Sequence, residues 1–576
     1  MTLRRCLLLP LLAACGDDGS LPSVDLLAAA TPLHANLYRL DTQLEMLDDR
    51  VRGSCGDGGA ERIYRFVAPS TGIAHVTLRG ARPTLYARRA AADAATELAC
   101  SDTLGPLTGA AEIDFSITAG ETYFVVAERS NAPDETPWRL ELELVPPFAD
   151  LDALAGKYRS RGYGYILGFD DEQFVLREAS DLHCMNVLGG PIAGLSSVID
   201  EIAPGPEADT IVVTPASSAG TITFERLTAT PPHCKGDGTP AIGDAGYVRD
   251  ALATYELFAR AFADHYAFFT ERGVDANALL ASGRAGLTPS STDDELFAAM
   301  VRVAEPLHDG HVSVTSLDDA FESKPQELAT LFASEPGAAD DAEAYVEAQL
   351  ARAKAISVAA ASQVMRSEYP IVAGRLANDI GYVRLDHFAI TRAHQPLYLA
   401  ALDRALAALA NTRGLVVDLR FNGGGADRVA IEAASRFARN ARVFARKHAR
   451  TESSRTPPID LAVAPATTAY PAPIVVLAGG STASAAETFV LALRGQPTTR
   501  IAGWRTSGEL SDILSRTLPN GWSFGLSNEI YLDADGKLFE VQGIPPDVAF
   551  TTLPFPIADR IDGVDRAVAS AAELLP

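Results

Sequence analysis

The sequence is short of positive charge, of cysteines at metal-binding spacing and of long apolar runs, and each shortage removes a class of function. Its 49 lysines and arginines face 74 aspartates and glutamates, a formal charge of -25. Nucleic-acid partners need a basic surface to neutralise phosphates, so that class is excluded. The 6 cysteines include no CxxC pair, which argues against zinc, and no metal or cofactor is expected. After the opening segment no run is long and apolar enough to cross a bilayer. Internal repeats and low-complexity tracts are also lacking. What is present is an ordinary globular composition, 47% hydrophobic and 21% charged. At 576 residues the chain is too long for one core and suggests three or four domains.

The opening MTLRRCLLLPLLAACGDDGS has two arginines, an apolar run and small residues before Cys15. That order reads as a signal peptide, residues 1–14. Leu12-Ala13-Ala14-Cys15 resembles the bacterial lipobox. The resemblance implies cleavage before Cys15, lipid on its thiol and amine, a tether over 15–40, and a cell-envelope location with membrane contact through the anchor alone. A plain secretory signal is the alternative. Export favours disulfides, and grouping by domain suggests Cys55 with Cys100 and Cys184 with Cys234, one of three possible pairings.

Residues 41–147 carry short alternating runs such as RIYRFVA, EIDFSIT and WRLELELV between Gly, Pro and Asp clusters, which predicts an antiparallel sandwich. Its order of motifs, FVAPSTG early and TAGETYFVV late, resembles the bacterial pre-peptidase C-terminal accessory domains. A second small β module is expected over 148–240. From 241 to 375 the period becomes helical. Leu252, Tyr255, Ala259, Phe262, Tyr266 and Phe269 form one face, and Thr292 with Glu295 caps a helix at Asp293–Ala304. The acidic, alanine-rich stretch from Asp318 to Arg366 reads as helix plus loop. Over 376–576 strands and helices alternate, which predicts βαβ units and a largely parallel sheet.

Three segments can do chemistry together. VVDLRFNGGGAD is a buried strand ending in glycines before a helix, where N–H groups of Gly423 or Gly424 can point outward as an oxyanion hole. No GK[ST] follows, so it is not a phosphate loop. In GGSTASAAETF, Ser484 starts a helix, with the Ala485 N–H as a second donor; Ser484, Ser481 or Thr482 as a mere cap is the competing reading. In HDGHVSV, His311 stands between a turn and a strand where a ring can be held as base, with His308 as the solvated rival.

DGH before a strand, GYVRLDHF, DLRFNGGG, STASAAE and FEVQGIPPDV, in this order, resemble the tail-specific or C-terminal processing serine peptidases and their tricorn-core relatives. The resemblance implies a ClpP/crotonase-like α/β core with a helical part, Ser484 as nucleophile, and Gly423 or Gly424 with Ala485 as oxyanion hole. In the processing branch a lysine is the base; here its place is Glu509, which cannot serve, and Lys537 is poorly positioned to replace it. The tricorn-like branch implies His311 as base and Glu540 as third member. Where that branch has a serine before the histidine this chain has Gly310, so Glu540 or Asp309 must orient the imidazole directly or through water. The span from His311 to Ile380 lacks the strands of an inserted peptide-binding PDZ domain of ~90 residues. The expectation is an exported serine endopeptidase acting on polypeptides. The alternatives are a non-catalytic peptide- or hydrophobic-ligand-binding protein on the same fold, and a structural envelope protein held by its β modules.

Overall fold

The computed structural model of the chain describes residues 23–34, 36–42, 51–55, 60–80, 83–102, 110–129, 138–145, 151–216, 218–236, 238–338, 341–452 and 454–576. They divide into two compact units, Met1–Pro147 and Phe148–Pro576. The expected signal peptide and Cys15 lie outside the described residues.

In the first unit, alternation builds a sandwich. Along Ala111–Ile117 the side chains of Ala111, Ile113, Phe115 and Ile117 turn inward while those between them face out. Two five-stranded sheets result. Their facing sides close on one cluster that includes Phe66, Phe115, Tyr123 and Trp138. Cys55 and Cys100 are disulfide-bonded. The segment expected as a tether over 15–40 differs: from Val24 onward it is structured. Val24–Asp25 pairs with one sheet, Thr31–His34 and Leu37–Thr42 extend the other. The cause is apolar burial, since Leu26 and Leu37 are both sealed from solvent.

The second unit begins with a seven-stranded antiparallel sheet running from Gly156–Ser160 to Ile222–Arg226, stapled by Cys184–Cys234. Sequence reading treats it as a separate module; it lies in the same compact unit as the helical and α/β regions that follow. The Thr517 N–H donates to Glu178 at 3.1 Å, Arg392 pairs with Asp200 at 3.1 Å, and the Tyr163 hydroxyl donates to Glu529.

A helix at Ala251–His265, with Asp250 accepting from the Ala253 N–H, buries Tyr255, Phe258 and Phe262. It stops before Tyr266, Phe268 and Phe269, which still fill the same cluster from the following turn. Asp293–Ala304 carries the expected capping box. The stretch expected as helix plus loop also holds strands Ala320–Glu322 and Ser362–Arg366, besides helices Glu327–Ala333 and Ala342–Ile356.

The C-terminal core is a seven-stranded sheet in the order Ser362–Arg366, Ile371–Arg375, Ile380–Leu385, Gly414–Asp418, Ile474–Ala478, Thr499–Gly503, Val548–Ala549. The first three strands are antiparallel and the rest parallel. Unbroken apolar runs suit strands covered on both faces. Leu415, Val417, Ile474 and Val476 pack against helices Gln395–Ala408, Asp427–Ser435 and Ala485–Leu493. Val416, Val475 and Leu477 face Ala567, Val568 and Ala571 of Arg566–Glu573 on the other side. Two adjacent parallel strands therefore deliver their C-terminal turns, 419–426 and 479–484, to one edge. None of the helices among the described residues is long and apolar enough to cross a membrane.

Candidate active site

The two turns are stitched together by side chains that sequence reading left without a role. Thr482 donates to the Leu419 carbonyl at 2.9 Å and accepts from the Gly479 N–H at 3.0 Å. Asn422 donates to the Leu385 carbonyl at 3.1 Å and accepts from the Gly424 N–H at 2.9 Å. The Ala483 N–H closes the stitch on the Asn422 carbonyl at 3.1 Å. Both side chains are fully buried.

Of the two glycines considered as oxyanion donors, Gly424 has its N–H committed to Asn422. Gly423 and Ala485 have N–H groups with no backbone or side-chain acceptor among the described residues. Gly424 instead supplies clearance. At φ +103° it takes a conformation side chains disfavour, and a Cβ there would lie 2.7 Å from Ser484 Cβ and 3.0 Å from the Ala485 nitrogen. Glycine is thus needed at 424 for approach, while 423 keeps the donor.

Ser484 occupies the N-cap of Ala485–Leu493, and its N–H donates to Glu487 at 3.3 Å. An ordinary cap has an extended backbone. Ser484 has φ 55° and ψ -127°, a sparsely populated conformation that costs about 1–3 kcal/mol and marks functional positions. Its neighbours do structural work: Ser481 accepts from the Leu328 N–H at 3.0 Å, and Thr482 ties the turns. Ser484 is half-buried, the other two buried.

Glu487 is sealed inside, and four donors converge on its carboxylate. They are the Thr506 hydroxyl at 2.5 Å and the N–H groups of Gly508 at 2.9 Å, Glu509 at 2.8 Å and Ser484 at 3.3 Å. Burial nonetheless pushes its pKa up to about 7. Through Glu487 the Ala485–Leu493 helix grips the 506–509 segment, and Glu509 lies against Gly310, next to His311. The upstream histidine segment and the serine turn therefore meet around one short stretch of chain.

His311 is buried, two residues before the strand Ser313–Thr315, whereas His308 is exposed with φ 48°. Burial lowers the His311 pKa below the usual histidine value; Asp309, Glu509 and Asp427 oppose this and Arg272 adds to it. The ring Nδ1 is buried without a partner. The two expected orienting carboxylates are engaged elsewhere. Asp309 accepts from the His311 main-chain N–H at 3.0 Å, the Ser527 hydroxyl at 3.1 Å and the Tyr266 hydroxyl at 2.9 Å. Glu540 accepts from the Leu510 and Ser511 N–H groups at 2.8 and 3.1 Å. Arg272 bridges both, 3.1 Å from Asp309 and 3.3 Å from Glu540. Burial, then the Asp309 charge, drives the Glu540 pKa well above the carboxylate range.

The segment 324–328 crosses the crevice. Lys324 pairs with Glu509 at 2.7 Å, Glu327 accepts from the Gly480 N–H at 3.0 Å, and a Cβ on Gly423 would overlap Gln326 Nε2. Nothing local in the sequence flags Arg272, Asn422 or this segment, because their partners are distant in the chain; Glu487 lies within the STASAAE motif, three residues after Ser484.

A strained serine at a helix start, two free N–H groups beside it and a buried histidine nearby are the parts of a serine-type peptidase, and this chain is one. Residues 379–550, within the C-terminal α/β core, match the model of Peptidase family S41. None of the curated proteins matches the chain. Among solved structures, a protein of Parabacteroides merdae ATCC 43184 assigned as a peptidase is similar at 24% identity over 57% of this chain and 97% of that one, with TM-score 0.47. A lipoprotein from Streptococcus agalactiae shows 16% identity over 54% and 95%, with TM-score 0.38. The photosystem II D1 C-terminal processing protease shows 17% identity over 56% and 99%, with TM-score 0.35.

Proposed function

We propose that the chain is an exported serine endopeptidase in which Ser484 attacks a peptide carbonyl and His311 takes its proton. The carbonyl oxygen becomes an oxyanion held by the Gly423 and Ala485 N–H groups. As the C–N bond breaks, the imidazolium returns the proton to the leaving amine, and water, deprotonated by the same ring, releases the acyl group from Ser484. The observation that carries this reading is the strained backbone of Ser484 beside two N–H groups without acceptors. Polypeptides are the substrates that the family supplies.

The test is labelling of the folded full chain with a fluorophosphonate. Label should appear on Ser484, vanish in Ser484→Ala and survive in Ser481→Ala; an unlabelled, folded wild type refutes the catalytic reading. A non-catalytic binding protein on this fold is favoured by one observation, the unpartnered His311 Nδ1, and predicts that absence of label. The anchor at Cys15 is part of the proposal as well. A palmitate analogue fed to expressing bacteria should label the protein, and Cys15→Ser should release it from the membrane fraction.

A further inference from the structure

Gly310 and Glu509 explain one another. A Cβ on residue 310 would overlap the Glu509 carboxylate, with Cδ at 2.5 Å and Oε1 at 2.7 Å. A side chain at 310 would have to displace that carboxylate, and glycine leaves the space that Glu509 fills. Lys324 fixes the carboxylate from the other side: its Nζ lies 2.7 Å from Oε1 and donates to the Ser507 carbonyl at 2.7 Å and hydroxyl at 3.1 Å. The Glu509 main chain is anchored too, through its N–H on Glu487.

Of the other carboxylates around His311, Asp309 and Glu540 have both oxygens engaged, and Asp427 has one. Asp309 serves the His311 main chain, Ser527, Tyr266 and Arg272; Glu540 serves Arg272 and two N–H groups; Asp427 accepts from Tyr531 at 2.7 Å. Among the described residues Glu509 Oε2 and Asp427 Oδ1 have no protein partner, and His311 Nδ1 is likewise without one. Of these two carboxylates, that of Glu509 lies against Gly310, the residue before His311.

On the reading that Ser484 and His311 are nucleophile and base, we propose that Glu509 is the positioning residue for His311: its carboxylate occupies the space left by Gly310, faces the imidazole and stabilises the imidazolium, while Lys324 holds it in place. Glu540 then belongs to the Arg272 cluster rather than to the ring. Charges facing the imidazole are Asp309, Glu509 and Asp427, which raise its basicity, and Arg272, which lowers it; Glu540, Glu487, Tyr266 and Lys324 stand behind these.

The experiment follows the rate of Ser484 labelling by a fluorophosphonate from pH 5 to 9 in the full chain. Neutral His311 is the competent form, so the rate falls on an acid limb. Glu509→Gln removes an anion from the ring; the limb should move to lower pH and the plateau fall about tenfold or more. Lys324→Met leaves Glu509 uncompensated, so its limb should move to higher pH with the plateau within about threefold. Glu540→Gln should change thermal stability and leave the limb where it is. The proposal is overturned if Glu509→Gln keeps the wild-type limb and plateau, or if Glu540→Gln moves the limb instead. Should Glu509→Gln not fold by circular dichroism, Lys324→Met decides alone: a limb that stays or moves down refutes. Failure of the catalytic reading has a separate signature, no Ser484 label in the folded wild type, and takes this proposal with it.

Discussion

Three consecutive glycines precede the Asp427–Ser435 helix, and alanine at each should report a different physical cost. At Gly423 the backbone is not in the left-handed region, and a Cβ meets only the movable amide of Gln326. At Gly424 the φ of +103° is strained for any side chain, and the Cβ meets Ser484 Cβ at 2.7 Å, the Ala483 carbonyl at 2.8 Å and the Ala485 nitrogen at 3.0 Å. At Gly425 the φ is +135°, and the Cβ would overlap the Phe388–Ala389 peptide, with the Phe388 oxygen at 2.5 Å. Backbone strain of about 1–3 kcal/mol and overpacking of about 1–3 kcal/mol add at 424, giving about 2–6 kcal/mol. Gly425→Ala should cost at least as much, because peptide atoms cannot step aside, and Gly423→Ala under about 1 kcal/mol. Denaturant midpoints measure the order. Labelling with a fluorophosphonate adds the functional half: Gly424→Ala displaces Ser484, and a misplacement near 1 Å costs about 100-fold, whereas Gly423→Ala keeps its N–H and should label within about threefold. Equal stability losses at all three positions, or wild-type labelling in Gly424→Ala, would falsify the clearance argument.

Glu487→Gln turns an amide toward four converging donors, leaves at least one buried donor unmatched, and should lower stability by about 1–3 kcal/mol in a urea titration. Burial first, then Arg516, holds the buried His183 at about 4 and His265 at about 3. Unfolded histidines near 6.5 bind protons that these folded rings refuse, so their contribution is full above about pH 6.5 and lost as pH falls toward the folded values. From pH 6.5 to 5 the pair should cost about 3 kcal/mol, a loss that His265→Gln should shrink by roughly half in midpoints measured at both pH values. Removing Cys184–Cys234, which closes a separation of 50 residues, should cost about 4 kcal/mol by loop entropy and lower the melting temperature of the second unit.

How much of this was legible follows from how local each determinant is. Alternation in EIDFSIT, the apolar runs PIVVLA and GLVVDLR, and the Thr292–Glu295 box are signals within one turn or strand, so the sandwich, the parallel core strands and the helix starts could be read directly. Ser484 was legible because a small-residue turn between a buried strand and a helix is a local pattern. The structured start at Val24 was not, since single apolar residues such as Leu26 count only when a sheet is there to receive them. Nor was the docking of the 156–226 sheet onto the peptidase region, which rests on pairs such as Thr517 with Glu178 across more than 300 positions.

By itself the sequence determined the order of β and α/β regions and the serine, histidine and glycine segments, and it suggested one of three disulfide pairings, because period, turn chemistry and motif spacing are properties of neighbouring residues. Tertiary structure alone decided that the Gly424 N–H is spent on Asn422 while that of Gly423 is free, that Arg272 joins Asp309 to Glu540, and that Glu509 fills the space beside Gly310. Those are competitions among donors, acceptors and volumes from distant parts of the chain, and their outcome depends on which groups packing brings within about 3 Å of each other.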